Sequence, residues 1–176
     1  MNEQLIDIND AQNDLLACAT FLAEKIGSSD GHAEAMKELI PYYLAKDEVD
    51  TAAELANSIE DPFVRDELLM SVARKCAEIG DDEYAFQLMD TLEDPNHQVH
   101  TLEDIAGIQA SQNNFDKAFQ TAAKLPDQSM ALENIAIHQN TEEALQTIDK
   151  IDNLHSKIHI LIALSTKTDD VLLLDK

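Results

Sequence analysis

Sliding the chain against itself by the step that carries Ala52 onto Ala85 brings its apolar positions into coincidence. Ala19 falls on Ala52, Ala85 and Ala118, and Ile26 falls on Ile59, Leu92 and Leu125. Within each step the apolar residues recur at intervals of three and four, the spacing of one buried face of an α-helix. Between the runs stand turn and cap signals: Asp47, Gly80 and Asn113 inside each unit, and Asp61-Pro62, Asp94-Pro95 and Pro126-Asp127 between units. A fixed period in this range marks a repeat architecture, in which one unit cannot bury its apolar face alone and is stabilised by its neighbours.

Taken in order, residues 10–27 read as a half unit. One helix opens at Asn9 or Asp10, closes at Gly27, and carries Leu15, Leu16, Ala19, Phe21, Leu22, Ala23 and Ile26. Complete two-helix units follow at 32–61, 62–94, 95–127 and 128–153, and 154–176 opens a fifth. Pro41 lies inside the first helix of its unit, where it predicts a bend. The 62–94 unit is the cleanest copy, with Leu69, Val72, Ala73 and Cys76 on its first helix and Ala85, Leu88, Met89 and Leu92 on its second. The third unit keeps Leu102, Ile105, Ala106, Ala118, Ala122 and Leu125. In the fourth, Leu132, Ile135 and Ala136 repeat the pattern, but the step from Ala136 to Ala144 falls four positions short of the step from Ala106 to Ala118. The missing stretch is about one helical turn, which predicts a shortened first helix or a tighter turn at Asn140-Thr141. Ile158, Leu161, Ile162 and Leu164 are the expected inward stripe of the last helix. The pattern as a whole predicts an all-α chain of about nine to eleven helices, with hairpin turns at Asp47, Gly80, Asn113 and Asn140 and junctions at Asp61, Asp94, Asp127 and Asn153.

These units resemble the tetratricopeptide repeat. The first-helix positions read Met36, Leu39-Ile40, Tyr43, then Leu69, Val72-Ala73, Cys76, then Leu102, Ile105-Ala106, Gln109. The second-helix alanine follows the small position by the same step in all three units, Ile40 to Ala52, Ala73 to Ala85 and Ala106 to Ala118. The period is 33 where the family has 34, and Ala56, Met89, Ala122 and Ile148 stand where it places an aromatic residue, so the chain looks like a divergent member. The resemblance implies an α-solenoid, a right-handed superhelix of antiparallel helix-turn-helix repeats spanning 1–176 as one domain. It also implies a concave face lined by first helices that holds a peptide. Carried over by position, that face comprises Glu34, Lys37, Glu38, Glu67, Met70, Ser71, Arg74, Glu78, His100, Glu103, Asp104, Ser111, Glu133 and Asn134. Acids dominate it, which disfavours a clamp for a carboxylate terminus and suits a basic peptide or helix, with Met70, Met130 and Ile137 as its apolar contacts.

Composition sharpens this reading. Against 12 Lys and Arg stand 35 Asp and Glu, a net charge of -23, and such a surface repels phosphate; nucleic acid and anionic membranes are not expected partners. Lacking tryptophan, the core must be filled by Ala, Leu and Ile, which suits closely packed helices. Cys18 and Cys76 form no disulfide framework, the N-terminus has no signal-like pattern, and Leu15 to Ala23 is too short to span a bilayer, so a cytoplasmic location is expected. His155 and His159 have the four-residue spacing of a metal pair but no His-Glu-x-x-His order, and His97 and His100 read as exposed groove or capping residues. With no phosphate loop and no nucleophile elbow, neither catalysis nor a metal or cofactor is expected. The expectation is a non-enzymatic protein-interaction module: a scaffold, adaptor or small acidic chaperone. The alternative is an assembly piece that self-associates through its terminal helices and Leu172, Leu173 and Leu174.

Overall fold

A computed structural model describes residues 5–167. Among them the chain forms eleven α-helices and no strand. By internal packing it divides into two compact units, residues 1–98 and 99–176. The first holds α1 (Ile8–Asn13), α2 (Leu15–Ala23), α3 (Ser29–Ala45), α4 (Val49–Asn57), α5 (Pro62–Glu78), α6 (Asp82–Thr91) and the first turn of α7 (Pro95–Ser111). The second holds the rest of α7 with α8 (Phe115–Ala122), α9 (Ser129–Ala136), α10 (Thr141–Ile148) and α11 (Leu154–Lys167). Pro41 lies inside α3, which runs on past it to Ala45.

The first device that repeats is the hairpin turn. Asp47, Gly80 and Asn113 all adopt left-handed backbone, with φ of 60°, 86° and 63°. Each ends its helix in the same pair of bonds. Asp47 N donates to Leu44 O and Glu48 N to Tyr43 O; Gly80 to Ala77 and Asp81 to Cys76; Asn113 to Ala110 and Asn114 to Gln109. This is the Schellman arrangement, which satisfies the last carbonyls of a helix and needs a residue tolerant of φ above zero; Gly, Asn and Asp are the residues that supply it. The fourth turn lacks it. Asn140 is extended (φ −68°, ψ 164°), and its side chain accepts the Glu143 N–H at 3.0 Å to start α10 directly. The shortening of this unit thus removes the left-handed turn as well as helix length: α9 has 8 residues where α5 and α7 have 17.

The second device sits at the junctions. Asp61, Asp94, Asp127 and Asn153 each accept, through the side-chain oxygen, the N–H two residues ahead, at 2.8 to 2.9 Å. At α5 and α7 a proline takes the first helical position, where a missing N–H is harmless.

Between these caps the expected positions are buried: Met36, Leu39 and Ile40; Leu69, Val72 and Ala73; Leu102, Ile105 and Ala106; Leu132, Ile135 and Ala136 on the first helices; and Ala52, Ala85, Ala118 and Ala144 on the second. In the first unit each helix packs on the next in sequence from α1 to α6, and α3 also packs on α5; in the second, α8 to α11 pack likewise and α9 also meets α11.

The ends depart from the sequence reading. The segment 10–27 is two helices, not one, because Asp14 interrupts it. Its carboxylate accepts the N–H of Leu16 (2.6 Å) and Ala17 (3.2 Å), making it the cap in place of Asn9 or Asp10, and the helix stops at Glu24, ahead of Gly27. On α2 the buried side chains are Thr20 and Ala23, while Leu15, Ala19 and Leu22, and Ile26 beyond its end, are exposed. Thr20 fixes that orientation by sharing a hydrogen bond of 2.9 Å with Tyr43 on α3. At the other end α11 buries Ser156, Ile160 and Leu164 and exposes Ile158, Leu161 and Ile162, so only Leu164 of the expected stripe faces inward. Leu172, Leu173 and Leu174 lie outside the described residues.

Candidate functional site

The expected groove residues divide between the two units. In the first, Glu34, Lys37 and Glu38 lie on α3 and Glu67, Met70, Ser71, Arg74 and Glu78 on α5. Their recorded polar bonds stay mostly within one helix: Lys37 to Glu34 at 3.1 Å, and Arg74 to Ser71 at 3.2 Å. Lys75, beside Arg74 on α5, reaches across to pair with Asp47 at 2.7 Å, and that carboxylate raises its pKa.

In the second unit His100, Glu103, Asp104 and Ser111 lie on α7, and Glu133 and Asn134 on α9. Gly107 allows α7 and α9 to approach, since a Cβ there would already touch the Asn134 side chain at 3.4 Å. Glu103 and Glu133 are half-buried rather than free on the surface. Glu103 pairs with His100 at 3.0 Å, and Glu133 with His159 of α11 at 3.1 Å.

These three helices frame a cleft of about 300 Å3, lined by Val99 and Glu103 of α7, Pro126 and Asp127 before α9, Ser129 and Met130 at its start, and Asn153 and Ser156 at the start of α11. The junction device explains why they meet: Asp127 and Asn153 cap consecutive first helices, so both cap loops come to the same end of the pair. Met130 is 50% exposed, an apolar side chain held open to solvent. Hydrogen bonds from the Ser129 backbone and side chain hold the Asp127 carboxyl below its ordinary pKa, so it is anionic at neutral pH. The caps also occupy the N–H groups that would otherwise draw an anion to these helix starts.

The chain matches no family model, no curated protein and no solved structure. What the cleft can do rests on its own chemistry. It offers the carboxylates of Glu103 and Asp127, the apolar thioether of Met130 and the hydroxyls of Ser129 and Ser156, with the Ser129 hydroxyl bonded to the Asp127 carboxyl. Burial pushes the Cys76 thiol up to about 11, well away from a reactive thiolate. The His155 and His159 rings lie with centroids 4.2 Å apart and tilted by 49°, and no three His, Cys, Asp or Glu residues among the described ones could hold a metal ion. No described helix is long and apolar enough to cross a membrane.

Two features escaped the sequence reading. His97, expected to be exposed, packs half-buried against Phe63 (5.2 Å between rings) with Nδ1 3.6 Å from Asp66. Asp66 itself is a buried acid on α5 whose Oδ2 accepts the N–H groups of Glu93 (2.8 Å) and Asp94 (3.0 Å), with Arg65 beside Oδ1. It ties the α5 helix to the next junction. Its one signal was an acid interrupting an apolar face. The other feature is a second cleft of about 390 Å3, around Phe119, Glu143 and Thr147 on the second helices and Lys150 just past α10, with the Lys150 ammonium 4.7 Å above the Phe119 ring.

Proposed function

We propose that this chain is a non-enzymatic protein-interaction module of the tetratricopeptide-like class, a right-handed superhelix whose first helices present an acidic face to a basic peptide or helix. The observation that carries the reading is the α7–α9–α11 cleft, where half-exposed Met130 stands among the carboxyl groups of Glu103 and Asp127. An anionic wall accelerates encounter with a cation, and an adaptable methionine supplies the contact that holds it. A role as scaffold, adaptor or small acidic chaperone fits the same surface.

The test uses a labelled, lysine-rich amphipathic helical peptide as probe, followed by stopped-flow anisotropy on the full chain. The association rate should fall severalfold as salt rises, Glu103→Lys should slow it further at low salt, and Met130→Ala should raise the dissociation rate roughly fivefold, the equivalent of about 1 kcal/mol. A peptide that fails to bind, or binding indifferent to both substitutions, would overturn the reading.

A further inference from the structure

Helices α2 and α11 each leave open a face that the hairpins elsewhere in the chain bury, although α1 packs on another side of α2. In four complete units three positions at steps of three and four run along the second helix and just past its end: Ala52, Leu55, Ile59; Ala85, Leu88, Leu92; Ala118, Thr121, Leu125; and Ala144, Thr147, Ile151. All twelve are buried. The same register is Ala19 and Leu22 on α2 and Ile26 just past its end, and here all three are exposed, Leu22 at 61% and Ile26 at 39%. The α2 face that meets α3 is filled, and the face that in the other units lies inside the hairpin stands open.

On α11 the openness has the opposite sense. The step from Ala144 to Leu161 equals the steps from Ala52 to Leu69 and from Ala85 to Leu102, so Leu161 is the first-helix leucine of a further unit. Leu69 and Leu102 are buried; Leu161 is 41% exposed, and Leu154, Ile158 and Ser165 extend the exposed stripe along α11. The spacing of that stripe, 154, 158, 161 and 165, is the spacing of 15, 19 and 22 on α2 and 26 just past it.

We infer that α11 of one copy docks on α2 of a second copy, first helix against second helix, completing in trans a hairpin like those within the chain. Charge selects the occupant. Copies at net -23 repel one another over most of their surface, yet Leu15–Ala23 carries no charged residue and Leu154–Lys167 carries no acid, with Lys157, Lys167, His155 and His159 as its cationic or titratable groups. These two acid-free faces meet without that repulsion. The contact is heterologous, so each copy keeps one face of each kind free after pairing and association continues beyond two. One helix against another buries less than the roughly 1,200 Å2 of a stable interface, so the contact is weak and needs high protein concentration to be seen.

The inference rests on the repeat register and not on peptide binding in the cleft, and salt separates the two. Screening the general repulsion strengthens copy-to-copy contact, whereas it slows capture of a basic peptide. Sedimentation velocity of the full chain, from micromolar to near-millimolar, should show a mass that climbs with concentration past two copies, and more steeply in salt. Leu22→Glu alone and Leu161→Glu alone should each stay single, because each lacks one of the two faces. Mixed in equal amounts they should stop at two copies, since one live face of each kind remains. Leu15→Lys and Leu154→Lys, at still more exposed positions, repeat the test without straining the fold, and circular dichroism checks that helix content is unchanged. A wild-type chain that stays single throughout, a single variant that still pairs with itself, or association that survives both substitutions would overturn the inference; the last would move the contact elsewhere, Leu172 to Leu174 included.

Discussion

In the α5–α6 hairpin, Cys76 on the first helix and Leu88 on the second are buried and apolar. The same two positions one period further on hold Gln109 and Thr121, and in the shortened α9–α10 hairpin they hold Gln139 and Thr147. Both pairs are buried, and in both the threonine hydroxyl donates to the glutamine oxygen, at 2.8 and 2.7 Å. One backbone plan therefore accepts either an apolar or a hydrogen-bonded interior. An apolar pair tolerates small slips of one helix along the other, whereas a buried donor and acceptor must meet at a set distance or lose their desolvation free energy. The polar pair occurs with either turn, with the left-handed Asn113 in α7–α8 and with the extended Asn140 in α9–α10. The apolar pair stands where other ties do the fixing, Asp66 and Lys75 in the first unit.

The largest test of this contrast removes one of those ties. Asp66→Ala deprives the Glu93 and Asp94 amides of their buried acceptor and should lower stability by about 3 kcal/mol, read by urea denaturation. A loss within experimental error would mean that solvent satisfies both amides.

Next comes the polar pair. Thr147→Val keeps the shape and orphans the Gln139 amide oxygen, with an expected cost of about 2 kcal/mol. The double change Gln139→Leu with Thr147→Val should recover most of that loss, as the apolar pair of α5–α6 implies. A double variant no better than the single would show that the two residues are not coupled.

The turns give smaller effects of opposite sign. Gly80→Ala meets no atom within 4 Å, so its cost is backbone strain alone, about 1 to 2 kcal/mol, while Asn113→Gly should gain up to about 1 kcal/mol by relieving a side chain at φ 63°. Equal midpoints for both variants would contradict the left-handed assignment.

The smallest effect is one of pH. Hydrogen bonds from Ala17 and Leu16, aided by Lys46, lower the Asp14 pKa from its ordinary 3.8. A depressed folded-state pKa stabilises above the unfolded value and ceases to do so as pH falls through the folded one. Wild type and Asp14→Ala should therefore differ near neutrality and converge below about pH 3.8. A gap that persists in acid would mean the cap acts without its charge.

The parts legible in the sequence were those that demand a particular residue type. Asp47, Gly80 and Asn113 announced hairpin turns, whose left-handed backbone few other residues adopt, and Asp61, Asp94, Asp127 and Asn153 announced junctions, with Asp61 and Asp94 as caps because a short acceptor is needed there. The terminal helices were not legible. The α2 sequence LLACATFLA is apolar almost all round, so periodicity cannot choose its inward face; Tyr43 on a neighbouring helix makes the choice through Thr20. The groove acids were legible as first-helix residues but not in their state, since the partner of Glu133 lies 26 residues away on α11. Nor could the sequence show that Val99, Met130 and Ser156 would share one cleft, which depends on how closely Gly107 lets α7 approach α9.

The side-chain hydrogen bonds that join separate helices also set how fast the chain finds its structure. Gln109 with Thr121 closes a loop of 12 residues, Thr20 with Tyr43 one of 23, and Asp66 with Asp94 one of 28. Closing a loop costs entropy that grows only with the logarithm of its length, and none of these exceeds one repeat. Each hairpin can therefore form before its neighbours and serve as the surface on which the next one condenses. Refolding in microseconds to milliseconds, the range of chains dominated by local contacts, is the kinetic signature of a molecule assembled from pieces one repeat long.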